Sequence, residues 1–432
     1  MATLTGNSSN NRINGTSQAD VISGNAGDDL LFGNGGNDLI RGGLGLDQLF
    51  GGTGSDQLFG DQGNDRLDGG DGDDTLDGGL GLDLIIGGAG IDTVTYQDAA
   101  GSIFVDLTKE LQSPYGGGTG DYDRLRSIEN VIGTTANDSI HGNAQNNDIR
   151  GLSGGDTLQG RGGNDHIDGG AGSDGLFGDE GNDTLIAGDG RDNLYGGTGN
   201  DYFRAGNGDD LLYGDAGNDI LYGEAGFDWA MYTSAQSAVA VDLAVFGQQN
   251  TLGAGFDMLD GIEGLGGSIH GDYFYGNAAA NTIFGYAGDD VIDGRDGNDY
   301  LNSGFDNDIV RGGAGNDTII AEHGNDVVYG GAGNDLLVGG AGNDWLLGEG
   351  GADTFKFASG WGKDAIFGFE NGADLIDFDY AGKTFADLRI VDLGANTEIS
   401  FAGYYYPPSG PANTITLWGV EASQIDASDF LF

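Results

Sequence analysis

The sequence predicts an all-β protein: a flattened solenoid of nonapeptide repeats in three blocks, interrupted by two β inserts and followed by a C-terminal β region. Three observations predict it. The chain repeats with a period of nine residues, nearly every repeat carries one large apolar residue at a fixed position, and glycine supplies 90 of 432 residues while cysteine supplies none. A fixed period of this kind marks a stacked array in which each unit buries its apolar face only against its neighbours. With no disulfide available as a staple, a bound metal is the remaining cross-link for so glycine-rich a chain.

The period sets the organisation. From Gly24 the chain reads GNAGDDLLF, GNGGNDLIR, GGLGLDQLF, GGTGSDQLF, GDQGNDRLD, GGDGDDTLD, GGLGLDLII and GGAGIDTVT, and two weaker units from Gly6 and Gly15 keep the register. A second array of eleven units runs from Gly133 to Met231 and a third of ten from Gly267 to Lys356. The implied segments are a first block over 1–95, an insert over 96–132, a second block over 133–231, an insert over 232–266, a third block over 267–356 and a C-terminal domain over 357–432.

Position eight of the unit holds the apolar residue: Leu31, Ile40, Leu49, Leu58, Leu67, Leu76 and Ile85 in the first array. Because side chains alternate across a strand, positions seven to nine form a short strand with the middle side chain inward. Positions one to six then form a glycine-rich turn. Two units make one coil with a sheet on each side.

Position six is Asp almost throughout. In the first array these are Asp29, Asp38, Asp47, Asp56, Asp65, Asp74 and Asp83. In the second they are Asp156, Asp165, Asp174, Asp183, Asp192, Asp201, Asp210 and Asp219, and in the third Asp290, Asp299, Asp308, Asp317, Asp326, Asp335 and Asp344. Of 69 acidic residues only ten are Glu. A merely solvated acidic surface uses both types, so this bias assigns the shorter carboxylate a geometric task in tight turns. A net charge of −53 disfavours nucleic acid and anionic membranes as partners and favours cations.

With these residues in view, the sequence resembles the repeats-in-toxin (RTX) calcium-binding family, whose repeat is G-G-x-G-x-D-x-U-x. The resemblance implies a parallel β-roll in which each calcium lies between loops of adjacent coils, held by backbone carbonyls and by the position-six carboxylates named above. The chemistry of the residues agrees, since hard Ca²⁺ takes six to eight oxygens. If each ion bridges loops two units apart, the arrays offer at most about 25 sites, or about +50 of charge on that oxygen-ligand model, nearly cancelling the chain's charge. Asn147 and Asn281 stand in place of Asp at position six and several loops lack the second glycine, which lowers the expected total.

The inserts resemble each other. Ile91-Asp92-Thr93-Val94-Thr95-Tyr96, Val105-Asp106-Leu107 and Ile128-Glu129 recur as Phe227-Asp228-Trp229-Ala230-Met231-Tyr232, Val241-Asp242-Leu243 and Ile262-Glu263, and the Asn147 unit has its counterpart in the Asn281 unit. A duplication of roll plus insert accounts for this. Inserts in RTX arrays look like strand pairs that cap or join rolls. After Phe357 glycine thins and alternating runs begin. This end resembles the C-terminal domain of RTX proteins exported by type I secretion, serralysin-like in its acidic residue before an apolar terminus, Asp429-Phe430-Leu431-Phe432.

Catalytic patterns are sparse. His141, His166, His270 and His323 form no H-E-x-x-H, which argues against a zinc protease. Gly151-Leu152-Ser153-Gly154-Gly155 matches G-x-S-x-G, but a repeat loop flanks it instead of a strand-to-helix turn. Gly382-Lys383-Thr384 lacks the upstream glycine of a P-loop. The best catalytic candidates are insert carboxylates, Asp121, Asp123 and Glu129 with Arg124, and Asp257, Asp260 and Glu263, which would suit glycan chemistry. Tyr404-Tyr405-Tyr406 offers a sugar-stacking platform.

The reading is therefore a secreted, extracellular calcium-binding protein that folds on binding many Ca²⁺ ions and serves as a binding or structural component. A polysaccharide-active lyase, hydrolase or epimerase is the alternative. Expected partners are calcium, an extracellular polysaccharide or cell surface, and a type I secretion apparatus. No membrane span is expected, because no run of about 18 apolar residues occurs, and Met1 to Asn10 carries neither the basic nor the apolar region of a Sec signal.

Overall fold

The computed structural model describes residues 1–110, 123–358, 360–379, 383–401 and 413–432. It is all-β, with no α-helix among those residues. The chain divides into two compact units, Met1–Gly226 and Phe227–Phe432.

Within the repeat arrays of the first unit each coil is two repeats long. Strand Val21–Ala26 pairs in parallel with Leu39–Leu44, setting Ile22 against Ile40, and the next coil sets Ile40 against Leu58. The 18-residue step is the arithmetic of the period: two units per turn return the chain to the same sheet. Position-eight residues from Leu31 to Ile85 are fully buried, so one large side chain per strand, stacked on the next, forms the core. The flanking residues of each strand point outward, where Phe177, Tyr195 and Tyr213 stack at 4.8 and 4.5 Å.

The strands are longer than the three residues expected. Leu30–Gly35 and its equivalents span six residues, running through positions one to three of the following unit. Asn34 is paired with Gly52 and Gly35 with Thr53. Those glycine-rich positions have no apolar pattern, yet each keeps a backbone N–H and C=O that must be satisfied, and the coil above satisfies them. The turn shrinks to positions four to six. Position four carries the tightest constraint: Gly63 has φ 152°, and a Cβ there would fall on the carbonyl oxygen of Gly45.

The first insert does not form the strand pair expected of it. Phe104–Asp106 opens a new sheet against Ser139–His141, whereas Arg124–Arg126 closes the old one against Leu84–Ala89. The opposite sheet runs on without a break, through Val94 against Val131 and Val131 against Ile149. An Arg clamp fixes the new sheet: Arg161 donates from Nη1 and Nη2 to both oxygens of Asp106 at 2.8 and 3.2 Å, and from Nη1 to Gly142 O at 2.8 Å. Burial opposes ionisation of Asp106, but Arg161, Lys109 and Thr108 outweigh it and hold its carboxyl well below the usual range.

The second unit repeats this arrangement. Ala240–Asp242 pairs with Tyr273–Tyr275, and Arg295 clamps Asp242 with two 2.7 Å bonds while donating to Gly276 O at 2.8 Å. Here Phe256–Asp260 pairs antiparallel with Gln249–Asn250. At the C-terminal end the solenoid continues: Lys363–Phe367 and Leu375–Phe378 extend the two sheets. Thr414–Trp418 then starts an antiparallel run with Asn396–Phe401 and Leu388–Asp392. Phe430–Leu431 adds a last parallel strand beside Leu375–Phe378.

Truncating one core residue tests the stack. Leu194 is fully buried between Leu176 and Leu212. Leu194→Ala is expected to cost about 2–5 kcal/mol through lost burial and a cavity, read as a lowered urea midpoint at every calcium concentration tested.

Candidate metal centre

The position-six aspartates are buried side by side in rows, although burying a carboxylate without a partner is costly. All those named from the sequence are at most 3% exposed. The first oxygen is accounted for by the coil before it. Asp174 N–H donates to Asp192 Oδ1 at 2.8 Å, and Asp192 N–H donates to Asp210 Oδ1 at 2.8 Å. Successive units fall on opposite edges of the solenoid, so two rows run along it, each advancing by 18 residues.

The second oxygen is left over. Oδ2 is buried without a hydrogen-bond partner in the row members from Asp29 to Asp92, from Asp156 to Asp201 and from Asp290 to Asp344. Orphaned buried oxygens are rare in folded proteins and call for an explanation. Beside each lies a backbone carbonyl of the next coil. A Cβ added at Gly60 would stand 2.6 Å from Asp65 Oδ2 and 2.5 Å from Gly78 O, and one at Gly330 would stand 2.6 Å from Asp335 Oδ2 and 2.7 Å from Gly348 O. Carboxylate and carbonyl thus face a common space that position-one glycines leave open. Alanine occupies that position at Ala187, Ala205 and Ala321.

Burial also shifts the titration of these groups. It lifts Asp65, Asp74 and Asp192 to about 7 and Asp83 and Asp290 to about 8, against the backbone N–H bond each accepts and reinforced by neighbouring row carboxylates. Such a row needs a proton or a cation on its free oxygens. The donor set, hard oxygens from a short carboxylate and from carbonyls, suits calcium. Among the described residues no group of three or more His, Cys, Asp or Glu stands together as a metal cage, so most ligands would be backbone carbonyls.

The rows extend beyond the aspartates named from the sequence. Asp74 N–H donates to Asp92 Oδ1, Asp344 N–H to Asp364 Oδ1 and Asp353 N–H to Asp374 Oδ1. Asp92 lies in the regular unit GGAGIDTVT, and Asp364 follows Gly362-Lys363 as a last, shifted repeat loop.

The insert carboxylates are drawn into the same rows. Asp123 Oδ1 accepts from Asp83 N–H at 3.0 Å, Glu129 Oε2 from Asp92 N–H at 2.9 Å, and Glu263 Oε2 from Asp228 N–H at 3.0 Å. Asp257 is buried and accepts from Thr251 Oγ1 at 2.8 Å. Asp260 and Arg124 are exposed on strands. Asp121, Gly382 and Tyr404 to Tyr406 lie outside the described residues. Ser153 ends strand Asp148–Ser153, which is no nucleophile elbow. Of the histidines, His141 bonds Gln159 Oε1 through Nδ1 at 2.7 Å and His323 stacks on Phe305 at 4.9 Å.

Comparison with known proteins bears on these rows. The family model for the RTX calcium-binding nonapeptide repeat (4 copies) matches in overlapping windows covering 5–94, 127–230 and 267–366, well over half of the chain. No curated protein matches. Among solved structures, the extracellular lipase LipA from Serratia marcescens aligns at 17% identity over 70% of this chain and 39% of its own, with a TM-score of 0.20. The AlgE6R3 subunit of the Azotobacter vinelandii mannuronan C5-epimerase aligns at 28% identity over 34% of this chain and 80% of its own, and AlgE6R2 at 24% over 36% and 92%, each with a TM-score of 0.17. The chain thus spans about two fifths of the lipase's length. These superpositions carry no argument about activity.

Proposed function

The chain belongs to the RTX calcium-binding nonapeptide-repeat family, and from that premise we propose that it is a secreted protein whose rolls close on calcium outside the cell and then serve as a binding or structural surface. One observation carries the reading: the rows of buried aspartates whose Oδ2 atoms lack a protein partner. The bound ion would supply the positive charge and the remaining oxygen contacts for those atoms. The chain's part is to present one carboxylate oxygen and nearby carbonyls from adjacent coils, so that filling one site orders the loop that contributes to the next. Asp123, Glu129 and Glu263 take part in the same rows, which favours a structural role for them over glycan catalysis.

Substituting a ligand separates this role from packing. Asp192→Ala removes a row member while leaving the Leu194 stack in place, and is expected to raise the calcium midpoint of folding followed by circular dichroism. An unchanged midpoint beside the parent would sink the ligand assignment.

Export is proposed to depend on the C-terminal region, whose Asp429 to Phe432 end resembles a type I secretion signal. Deleting 358–432 is expected to leave the protein inside a producing cell that carries a type I apparatus, measured as the ratio of medium to cell antigen. Undiminished export would refute the assignment.

A further inference from the structure

Six repeat units depart from the others, and they fall in consecutive pairs at the start of each array. Elsewhere position two has a left-handed backbone, whether it is glycine, as at Gly43 with φ 113°, or not, as at Asp61 with 71°, Arg161 with 79° and Glu349 with 71°. The six exceptions are Asn7, Thr16, Thr134, Asn143, Ser268 and Asn277, none with positive φ. Position four departs as well: glycine there is replaced by Ser9, Gln18, Ala136, Gln145, His270 and Ala279, none with positive φ, whereas Asp306, the other residue that replaces this glycine, keeps the left-handed backbone at 78°.

These changes close the loop from within. Without the left-handed turn, the peptide joining positions one and two presents its N–H to the position-six side chain. Thr16, Thr134 and Ser268 donate this N–H to Oδ2 of Asp20, Asp138 and Asp272 at 2.7, 2.6 and 2.7 Å. Their hydroxyls donate to the same carboxylates at 2.8 to 3.0 Å. In the companion units Asn7, Asn143 and Asn277 donate N–H to Oδ1 of Asn11, Asn147 and Asn281 at 2.7, 2.9 and 2.8 Å. Position four then donates its N–H to the position-two side chain, as Ala136 does to Thr134 Oγ1 at 3.0 Å and Gln145 to Asn143 Oδ1 at 2.8 Å. The Asn147 amide also donates to Glu129 O at 2.6 Å. Asp20, Asp138 and Asp272 do not have the orphaned Oδ2 of the other rows.

We infer that the opening turn of each array excludes calcium and is closed by its own side chains. The inference rests on the reading of the remaining rows as calcium sites. Its physical basis is local: N–H and O–H dipoles aim their positive ends at the oxygens a cation would need, and in the Asn units the side chain has no charge and brings an amide donor of its own. Because consecutive units lie on opposite edges, each pair blocks both edges, so in each of the three arrays both rows of cation sites begin behind a turn whose register the chain sets alone.

Bound calcium counted by equilibrium dialysis and atomic spectroscopy on the full chain tests this. The double variant Asn147→Ala with Asn281→Ala is expected to keep the parent's count while losing thermal stability in saturating calcium, and Asp192→Ala is expected to lose one or two ions. Restoring the repeat in one unit, with Asn143→Gly, Gln145→Gly and Asn147→Asp, is expected to add an ion. Thr134→Val, a milder change that keeps the backbone donor, should again leave the count unaltered. Loss of ions in the double variant or in Thr134→Val would overturn the inference. An unchanged count in Asp192→Ala would instead overturn the calcium assignment of the rows and the inference with it, a separate and recognisable result.

Discussion

In excess chelator at pH 7.5 the chain is expected to lose its β-sheet circular dichroism, and calcium in the range of about 0.1–1 mM, typical of extracellular sites, is expected to restore it in a steep transition. The cause lies in the rows. Asp47, Asp65 and Asp83 succeed one another with one oxygen each accepting a backbone N–H and the other left bare. At neutral pH these carboxylates must either ionise in a buried place beside like charges or hold protons, and both disfavour the folded state. A site filled at ten times its dissociation constant contributes about 1.4 kcal/mol. Some 20 such sites give about 28 kcal/mol on that relation, more than the net stability of an ordinary domain. Coils that share ligands order one another, so the transition should be sharper than for independent sites. Magnesium is the control, since it demands a tight octahedral shell and gives up water reluctantly. A full β spectrum in chelator, or equal folding by magnesium, would refute the mechanism.

Much of the fold was legible in the sequence because its period is also its geometry. Nine residues per unit and an apolar residue at position eight led directly to an 18-residue coil and to the stack through Leu31, Leu49 and Leu67. What escaped was whatever depends on backbone alone. Strand pairing of Asn34 with Gly52 leaves no apolar signature, so positions one to three read as turn. The inserts were recognised as duplicates, but not that their two strands serve different sheets, since nothing in Phe104–Asp106 or Arg124–Arg126 names its partner. The Arg161–Asp106 and Arg295–Asp242 clamps span 55 and 53 residues, too far for any spacing rule. As acidic residues of the inserts, Glu129 and Glu263 suit paired-carboxylate glycan chemistry on sequence alone, whereas in the structure a longer side chain reaches the same row from a displaced backbone. The calcium-excluding units had a signal in plain view, the missing glycine at position four in two consecutive units, which acquires meaning only once the left-handed turn at position two is seen, because Asp306 lacks that glycine and keeps the turn.

Acid is expected to substitute in part for calcium in stabilising the fold and to oppose calcium in binding. Burial raises Asp47 and Asp56 to about 6, Asp65, Asp74 and Asp192 to about 7, and Asp83, Asp290 and Asp364 to about 8. An unfolded Asp titrates near 3.9. Between these values the metal-free folded chain binds more protons than the unfolded chain, so its stability falls as pH rises. The contribution is fully present below about pH 4 and is lost as pH rises through the folded values of about 6 to 8. In chelator, then, lowering the pH from 7.5 to 5 should move the chain towards its β spectrum, and protonation of the rows also relieves part of the −53 charge. Calcium then competes with those protons for Oδ2, so binding to the acid-folded chain should release protons, whereas the unfolded chain, whose carboxylates are already ionised above about pH 4, has none to give at pH 7.5. A site that titrates at about 7 loses about tenfold in apparent affinity for each pH unit below that value. Once acid has folded the metal-free chain, a drop from pH 6.5 to 5.5 should therefore weaken calcium binding by about tenfold, and calorimetry at pH 5.5 in two buffers of different ionisation enthalpy should report the released protons. A calcium affinity of the acid-folded chain that is independent of pH, with no proton release, would mean that the buried oxygens are not the groups calcium meets.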